Sequence, residues 1–208
     1  MKKPKTPAHL HELPCVIVAI DPGRTSGWAI FVEGRPVSWG TTDAADSLRV
    51  QMVLLTACEM SQLHGIPLVM LGETWNAGGA RGIAQWQGLG AAWGVWKYAA
   101  EHLSSSRRDM PGSLGPQLVA SRILRVSTST WRARFGMMRA PKGAAKGWYK
   151  TRALELVQRE LALEVTPEHH DAAEALLIGL WGTRATAVGA KLPKRLMSTW
   201  AAERAETC

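Results

Sequence analysis

Two apolar runs joined by a single glycine-containing turn constrain this chain more than any other feature. Val16-Ile17-Val18-Ala19-Ile20 ends at Asp21, Pro22-Gly23-Arg24-Thr25-Ser26-Gly27 turns the chain, and Trp28-Ala29-Ile30-Phe31-Val32 follows at once. Runs of this length around a glycine turn predict a β-hairpin. A carboxylate at the inner end of a buried strand is unfavourable unless something pairs with it, and a divalent cation is the usual partner. Taken alone, Asp21 reads equally well as a turn residue or a helix cap.

Other acids recur in similar settings. Glu73 ends the apolar run Pro67-Leu68-Val69-Met70-Leu71-Gly72, and Asp171 and Glu174 lie within His169-His170-Asp171-Ala172-Ala173-Glu174-Ala175-Leu176-Leu177. A spacing of three places Asp171 and Glu174 on one helical face, and their alanine and leucine neighbours turn that face toward a core. Singly, Glu73 reads as a structural acid and the pair as a solvated face. The joint pattern points to a site, because oxygen-rich clusters bind hard cations such as Mg²⁺. Two such cations about 4 Å apart clamp the attacking and leaving oxygens of a phosphodiester.

The order of these motifs resembles the RuvC Holliday-junction resolvases, of the RNase H-like nuclease superfamily. The resemblance rests on Asp21-Pro22-Gly23 with Gly27-Trp28-Ala29, the strand ending in Glu73, and Asp171-Ala172-Ala173-Glu174-Ala175-Leu176, and it spans roughly residues 15–182. It implies an α/β fold with an RNase H-like mixed five-stranded sheet flanked by helices. It implies a homodimeric, structure-selective DNA endonuclease acting in recombination and repair, which resolves four-way junctions by paired phosphodiester hydrolysis and leaves 5′-phosphate ends. Asp21, Glu73, Asp171 and Glu174 are then the catalytic and metal-binding residues. Asp21 would bridge two Mg²⁺ or Mn²⁺ ions, with Glu73 on one side and Asp171 and Glu174 on the other. Two departures stand out. The acid at 174 is commonly Asp in the family, and the base-stacking aromatic three residues beyond the strand acid is here Asn76, with Trp75 one residue earlier.

Charge and aromatic content extend the expectation toward DNA. The chain of 208 residues has a formal net charge of +8, which favours a polyanionic partner although basic surfaces also serve solubility. The candidate DNA contacts are Trp75, Asn76, Arg81, Trp131, Arg139, Lys142, Lys146 and Lys150. Trp75 and Trp131 are the candidates for base stacking; the lysines read equally as a solvated loop. His170 directly precedes Asp171, and both His169 and His170 read either as site residues or as surface histidines. There are ten tryptophans against two Phe and two Tyr; Trp86, Trp93 and Trp96, at helical spacing, read as core or dimer packing. The basic, tryptophan-rich character suits a phage-encoded member.

Three scattered cysteines without zinc spacing, no apolar stretch of membrane length and no secretory signal predict a cytoplasmic protein without a membrane partner. Two rivals remain. The Asp21–Gly27 turn also resembles the phosphate loop of sugar kinases and actin-like ATPases, but those folds need a second similar domain and none is visible, so no nucleotide cofactor is expected. A non-catalytic junction-binding protein would need no four-acid set.

Along the chain, residues 1–14 read as a flexible basic arm, 15–185 as the nuclease domain and 186–208 as a basic tail with a short helix around 195–206. Strands are predicted at 16–20, 28–32, 37–40, 67–73 and 123–126. Helices are predicted over 43–64, capped by Asp43 or Asp46, over about 83–103, from a Ser or Thr cap at 127–130, and over 148–163 and 168–182. Residues 104–117 read as an exposed insertion and 139–150 as a flexible basic loop. Gly82, Gly88, Gly90 and Gly94 in the second helix each cost about 1 kcal/mol relative to Ala. They predict close approach by another element, either a twofold partner, as in RuvC-like proteins, or a neighbour in the same subunit.

Overall fold

The computed structural model describes residues 15–74, 83–106 and 123–187. Its centre is a five-stranded mixed sheet in the order β3-β2-β1-β4-β5, built from β1 (Val16–Asp21), β2 (Thr25–Val32), β3 (Arg35–Asp43), β4 (Leu68–Thr74) and β5 (Ile123–Ser127). The first three strands form an antiparallel meander, while β4 and β5 run parallel to β1.

The central strands read as unbroken apolar runs because both their faces are covered. Side chains alternate across the sheet. Val16, Val18 and Ile20 enter one core with Leu68 and Met70. Ile17 and Ala19 enter the other with Val69 and Leu71. Helices α1 (Ser47–His64) and α2 (Ile83–Ser106) cover the first face; α3 (Thr128–Arg134), α4 (Trp148–Leu161) and α5 (His170–Ala187) cover the second. A short 3₁₀ turn, Pro167–His169, leads into α5.

Local signals account for several boundaries. The Asp46 carboxylate accepts from the Arg49 amide at 3.1 Å and caps α1, which stops at Gly65 with φ 63°. Ser127 caps α3 through the Thr130 amide at 3.2 Å.

The mixed five-stranded sheet with flanking helices is the expected architecture, with some boundaries moved. β3 is longer than 37–40, because it pairs with β2 along its whole length, from Arg35 opposite Val32 to Asp43 opposite Thr25. α2 continues to Ser106, so the start of the expected insertion is helical, and α5 continues to Ala187. α4 begins at Trp148 as expected, which takes Trp148, Tyr149 and Lys150 out of the 139–150 loop, and it stops at Leu161 rather than 163. The expected arm at 1–14, the remainder of the insertion (107–117) and the tail from 188 lie outside the described residues.

Gly88, Gly90 and Gly94 of α2 pack against none of the described residues. A Cβ built on Gly88, Gly90 or Gly94 meets nothing within 4 Å among the described residues; Gly82 lies outside them. Trp93 and Trp96 are buried in the core beneath α1 and α2, as the packing reading expected. The Trp86 side chain lies outside the described set.

Candidate metal centre

Strand register creates the site. The last paired residues of β1 and β4 are Ile20 and Gly72. One step further along each strand come Asp21 and Glu73. Both continue the parity of Ile17, Ala19, Val69 and Leu71, so both face the layer formed by α3, α4 and α5. Asp21 lies opposite Gly27 of β2, and a Cβ at Gly27 would fall 1.8 Å from the Asp171 carbonyl oxygen. The missing side chain there lets the start of α5 rest directly on the hairpin, and the first turns of α5 carry Asp171 and Glu174.

Three of the four acids converge. Asp21, Glu73 and Glu174 each offer a carboxylate oxygen, and these oxygens lie within 4.8 Å of one another. Glu73 and Glu174 are buried and Asp21 is partly so. Asp171 stands outside this trio, at the rim. Its side chain is 25% exposed and its Oδ1 lies 2.8 Å from His170 Nε2. Desolvation raises the pKa of Asp21 well above the ordinary Asp range, and the charges of Glu174, Glu73 and Asp171 push it the same way, opposed by Arg132. Desolvation also raises that of Glu174, partly offset by Arg132. The donors are all hard oxygens, crowded and partly desolvated, with mutual repulsion that a divalent cation would relieve; they fit Mg²⁺ or Mn²⁺.

Helix α3 supports the acids. β5 pairs with β4 so that Val126 lies beside Glu73 and Ser127 beside Thr74, and α3 starts at the next residue. Thr128 Oγ1 donates to Glu73 Oε1 at 2.5 Å, and Trp131 Nε1 donates to Glu73 Oε2 at 2.8 Å. Arg132 Nη2 donates to Glu174 Oε2 at 3.0 Å. The Arg132 guanidinium lies 5.1 Å from the Trp131 ring centroid and 4.8 Å from that of Tyr149, within cation–π range.

Trp131 therefore requires a correction. As a base-stacking candidate it should present a ring face to solvent, but it is 0% exposed and its N–H is directed at Glu73. Spacing held the signal: Trp131 and Phe135, four apart, are both buried in the same core, so this face of α3 looks inward. Sequence reasoning missed Thr128 and Arg132, yet positions 128, 131 and 132 share one helical face.

The other candidates divide by position. Arg139, Lys142 and Lys146 are exposed on the connection between α3 and α4. Lys150 is exposed on α4 with its Nζ against His170 Nε2. His170 Nδ1 lies 3.1 Å from the Pro167 carbonyl, while His169 is exposed and contacts Thr166. Trp75, Asn76 and Arg81 lie outside the described residues.

No family model and no curated protein matches the chain in sequence. Solved structures do match in fold. RuvC of T. thermophilus in complex with a Holliday junction substrate aligns with a TM-score of 0.52 at 18% identity, over 83% of this chain and 97% of that one. A second Thermus thermophilus RuvC structure aligns at 0.48 and 17%, over 83% and 98%. The yeast mitochondrial Holliday junction resolvase aligns at 0.42 and 10%, over 82% and 78%. With its mixed five-stranded sheet and flanking helices, the chain is RuvC-like in fold.

Proposed function

We propose that the protein is a structure-selective, divalent-metal-dependent DNA endonuclease that resolves four-way junctions. The observation that carries this reading is the convergence of carboxylates from β1, β4 and α5 to within 4.8 Å. Binding alone gives no reason to crowd acids in a desolvated place, which argues against a non-catalytic junction binder. The RuvC structure of like fold was solved with a Holliday junction substrate, and the same substrate class is proposed here.

Asp21, Glu73 and Glu174 would hold one or two Mg²⁺ or Mn²⁺ ions, with Asp171 completing the set at the rim and Asp21, on the central strand, the candidate shared ligand. Ions bound there supply an acidified water as nucleophile and charge stabilisation for the leaving 3′ oxygen, giving 5′-phosphate ends. Arg139, Lys142, Lys146 and Lys150 hold DNA phosphates near the acids, consistent with their exposure and with the net charge of +8. Trp75, Asn76 and Arg81 directly follow the Glu73 strand and are the proposed contacts to unpaired junction bases. Paired cleavage needs two sites facing two strands, which a C₂ homodimer supplies. The exposed glycines of α2 are its proposed interface. No helix among the described residues is long and apolar enough to cross a membrane, and we place the enzyme in the cytoplasm in recombination and repair.

The test is incubation of purified protein with labelled four-way junction or matched duplex and Mg²⁺. The expected result is paired nicks in the junction, little cutting of duplex, and junction binding without cleavage by Asp21→Asn. Normal turnover by that variant would sink the metal assignment.

A further inference from the structure

We infer that Trp131, with Thr128, is a positioning residue that sets the orientation of the Glu73 carboxylate for metal binding. The inference rests on the metal-nuclease reading above and assigns a role to two side chains which that reading leaves unused.

The geometry points to this role in three steps. First, each oxygen of Glu73 accepts one hydrogen bond, Oε1 from Thr128 and Oε2 from Trp131. Two donors on two oxygens fix rotation about the last side-chain bond, which is otherwise broad, and so fix which lone pairs face Asp21 and Glu174. Second, both donors come from one short helix whose start is tied to β4 through the β4–β5 ladder. Carboxylate and donors are therefore held by the same piece of sheet. Third, both donors are neutral. Arg132 brings a cation to Glu174 and must compete with an incoming metal for its electrons. An indole N–H and a hydroxyl direct the carboxylate of Glu73 without adding a competing charge. The indole is also strictly a donor, so the Oε2 lone pair facing it is committed to accepting. Elsewhere among the described residues, the buried indole nitrogens of Trp93 and Trp96 have no hydrogen-bond partner. Packing in this fold thus does not by itself supply an acceptor, and the contact to Glu73 is specific to the site.

Outer partners that orient a metal ligand typically change metal affinity or activity by about 10–100-fold when removed. The experiment measures Mn²⁺ affinity from the electron paramagnetic resonance signal of free Mn²⁺, on the full chain without DNA. Trp131→Phe keeps a buried ring and removes only the N–H; Mn²⁺ binding is expected to weaken at least about tenfold. Thr128→Val should weaken it similarly, while Thr128→Ser, which keeps the hydroxyl, should retain near wild-type affinity. A purely structural role would lower the melting temperature without separating Val from Ser at position 128 in metal affinity. If Trp131→Phe fails to fold, the Val and Ser pair decides. Folded Trp131→Phe with wild-type Mn²⁺ affinity overturns the inference, as does equal affinity in the two Thr128 variants. Wild-type protein and Asp21→Asn serve as controls. If both bind Mn²⁺ equally, or neither binds, the metal reading itself fails; if they differ and the α3 variants do not, only the positioning role fails.

Discussion

Asp21 occupies a position that opposes its own ionisation. Burial and three neighbouring carboxylates raise its pKa well above the ordinary Asp range, and burial raises that of Glu174. An acid whose folded pKa exceeds its unfolded value stabilises the fold below the unfolded pKa and loses that contribution as pH rises through the folded one. Metal-free protein should therefore melt at progressively lower temperature as pH rises from the ordinary carboxylate range through the raised pKa values of these two acids. Asp21→Asn removes the largest part of that dependence and should melt higher than wild type at neutral pH in EDTA, by about 2–4 °C for each kcal/mol relieved in a chain of this size. Mg²⁺ or Mn²⁺ should raise the wild-type melting temperature at neutral pH and leave the variant nearly unchanged. Thermal melts from pH 4 to 8, with and without metal, check this; parallel curves for the two proteins would remove the electrostatic account. At this scale the acids were legible because a charge at the end of an apolar run is conspicuous. Trp131 and Arg132 were not. An indole beside polar residues looks alike whether it meets a base or a buried carboxylate, and which acid Arg132 meets depends on where α5 packs.

Close contact between α5 and the hairpin brings acids from distant parts of the chain to one place. Two glycines permit it from opposite sides. Gly27 leaves room on β2 for the Asp171 carbonyl, and Gly179 leaves room on α5 for the Phe31 ring, where a Cβ would fall 2.2 Å from a ring carbon. The obstruction at Gly27 is backbone, which cannot rotate away, whereas Phe31 is a side chain. Gly27→Ala should therefore displace the first turn of α5 and with it Asp171 and Glu174. Expected outcomes are a lower melting temperature and loss of Mn²⁺ binding even in the folded fraction, followed by circular dichroism and a metal titration. A Gly27→Ala variant that binds Mn²⁺ normally would show that α5 is not seated through this contact. The elements themselves were mostly readable from apolar runs, turn glycines and helical spacing. The length of β3 was not, because its ends are set by pairing with β2 rather than by its own composition. The role of Gly27 was hidden too: within the sequence it is only a turn residue, and its neighbour on α5 is far along the chain.

Among the described residues, the glycines of α2 have no intrachain explanation. α2 buries Trp93, Trp96, Ala99 and Ala100 against the sheet, while Gly88, Gly90 and Gly94 are exposed and open, with nothing within 4 Å of a built Cβ among the described residues. Each glycine costs about 1 kcal/mol of helix stability relative to Ala, and nothing inside the described subunit offsets it. In the proposed C₂ dimer Gly90 and Gly94, four apart and so on one helical face, let two α2 helices approach closely, which would also set the separation of the two carboxylate clusters. The two accounts make opposite predictions for Gly88→Ala, Gly90→Ala and Gly94→Ala combined. If the helix faces only water, the variant gains stability and its mass in solution is unchanged. If it faces a second copy, added methyl groups separate the helices: analytical ultracentrifugation should find dissociation at concentrations where wild type is dimeric, and thermal melts at high dilution should still find the isolated subunit stabilised. Paired nicking of a junction should fall much more than single-strand nicking, because each active site remains intact while their coupling is lost. A dimer of undiminished affinity in the triple variant would exclude the Gly90–Gly94 face of α2 as the twofold contact.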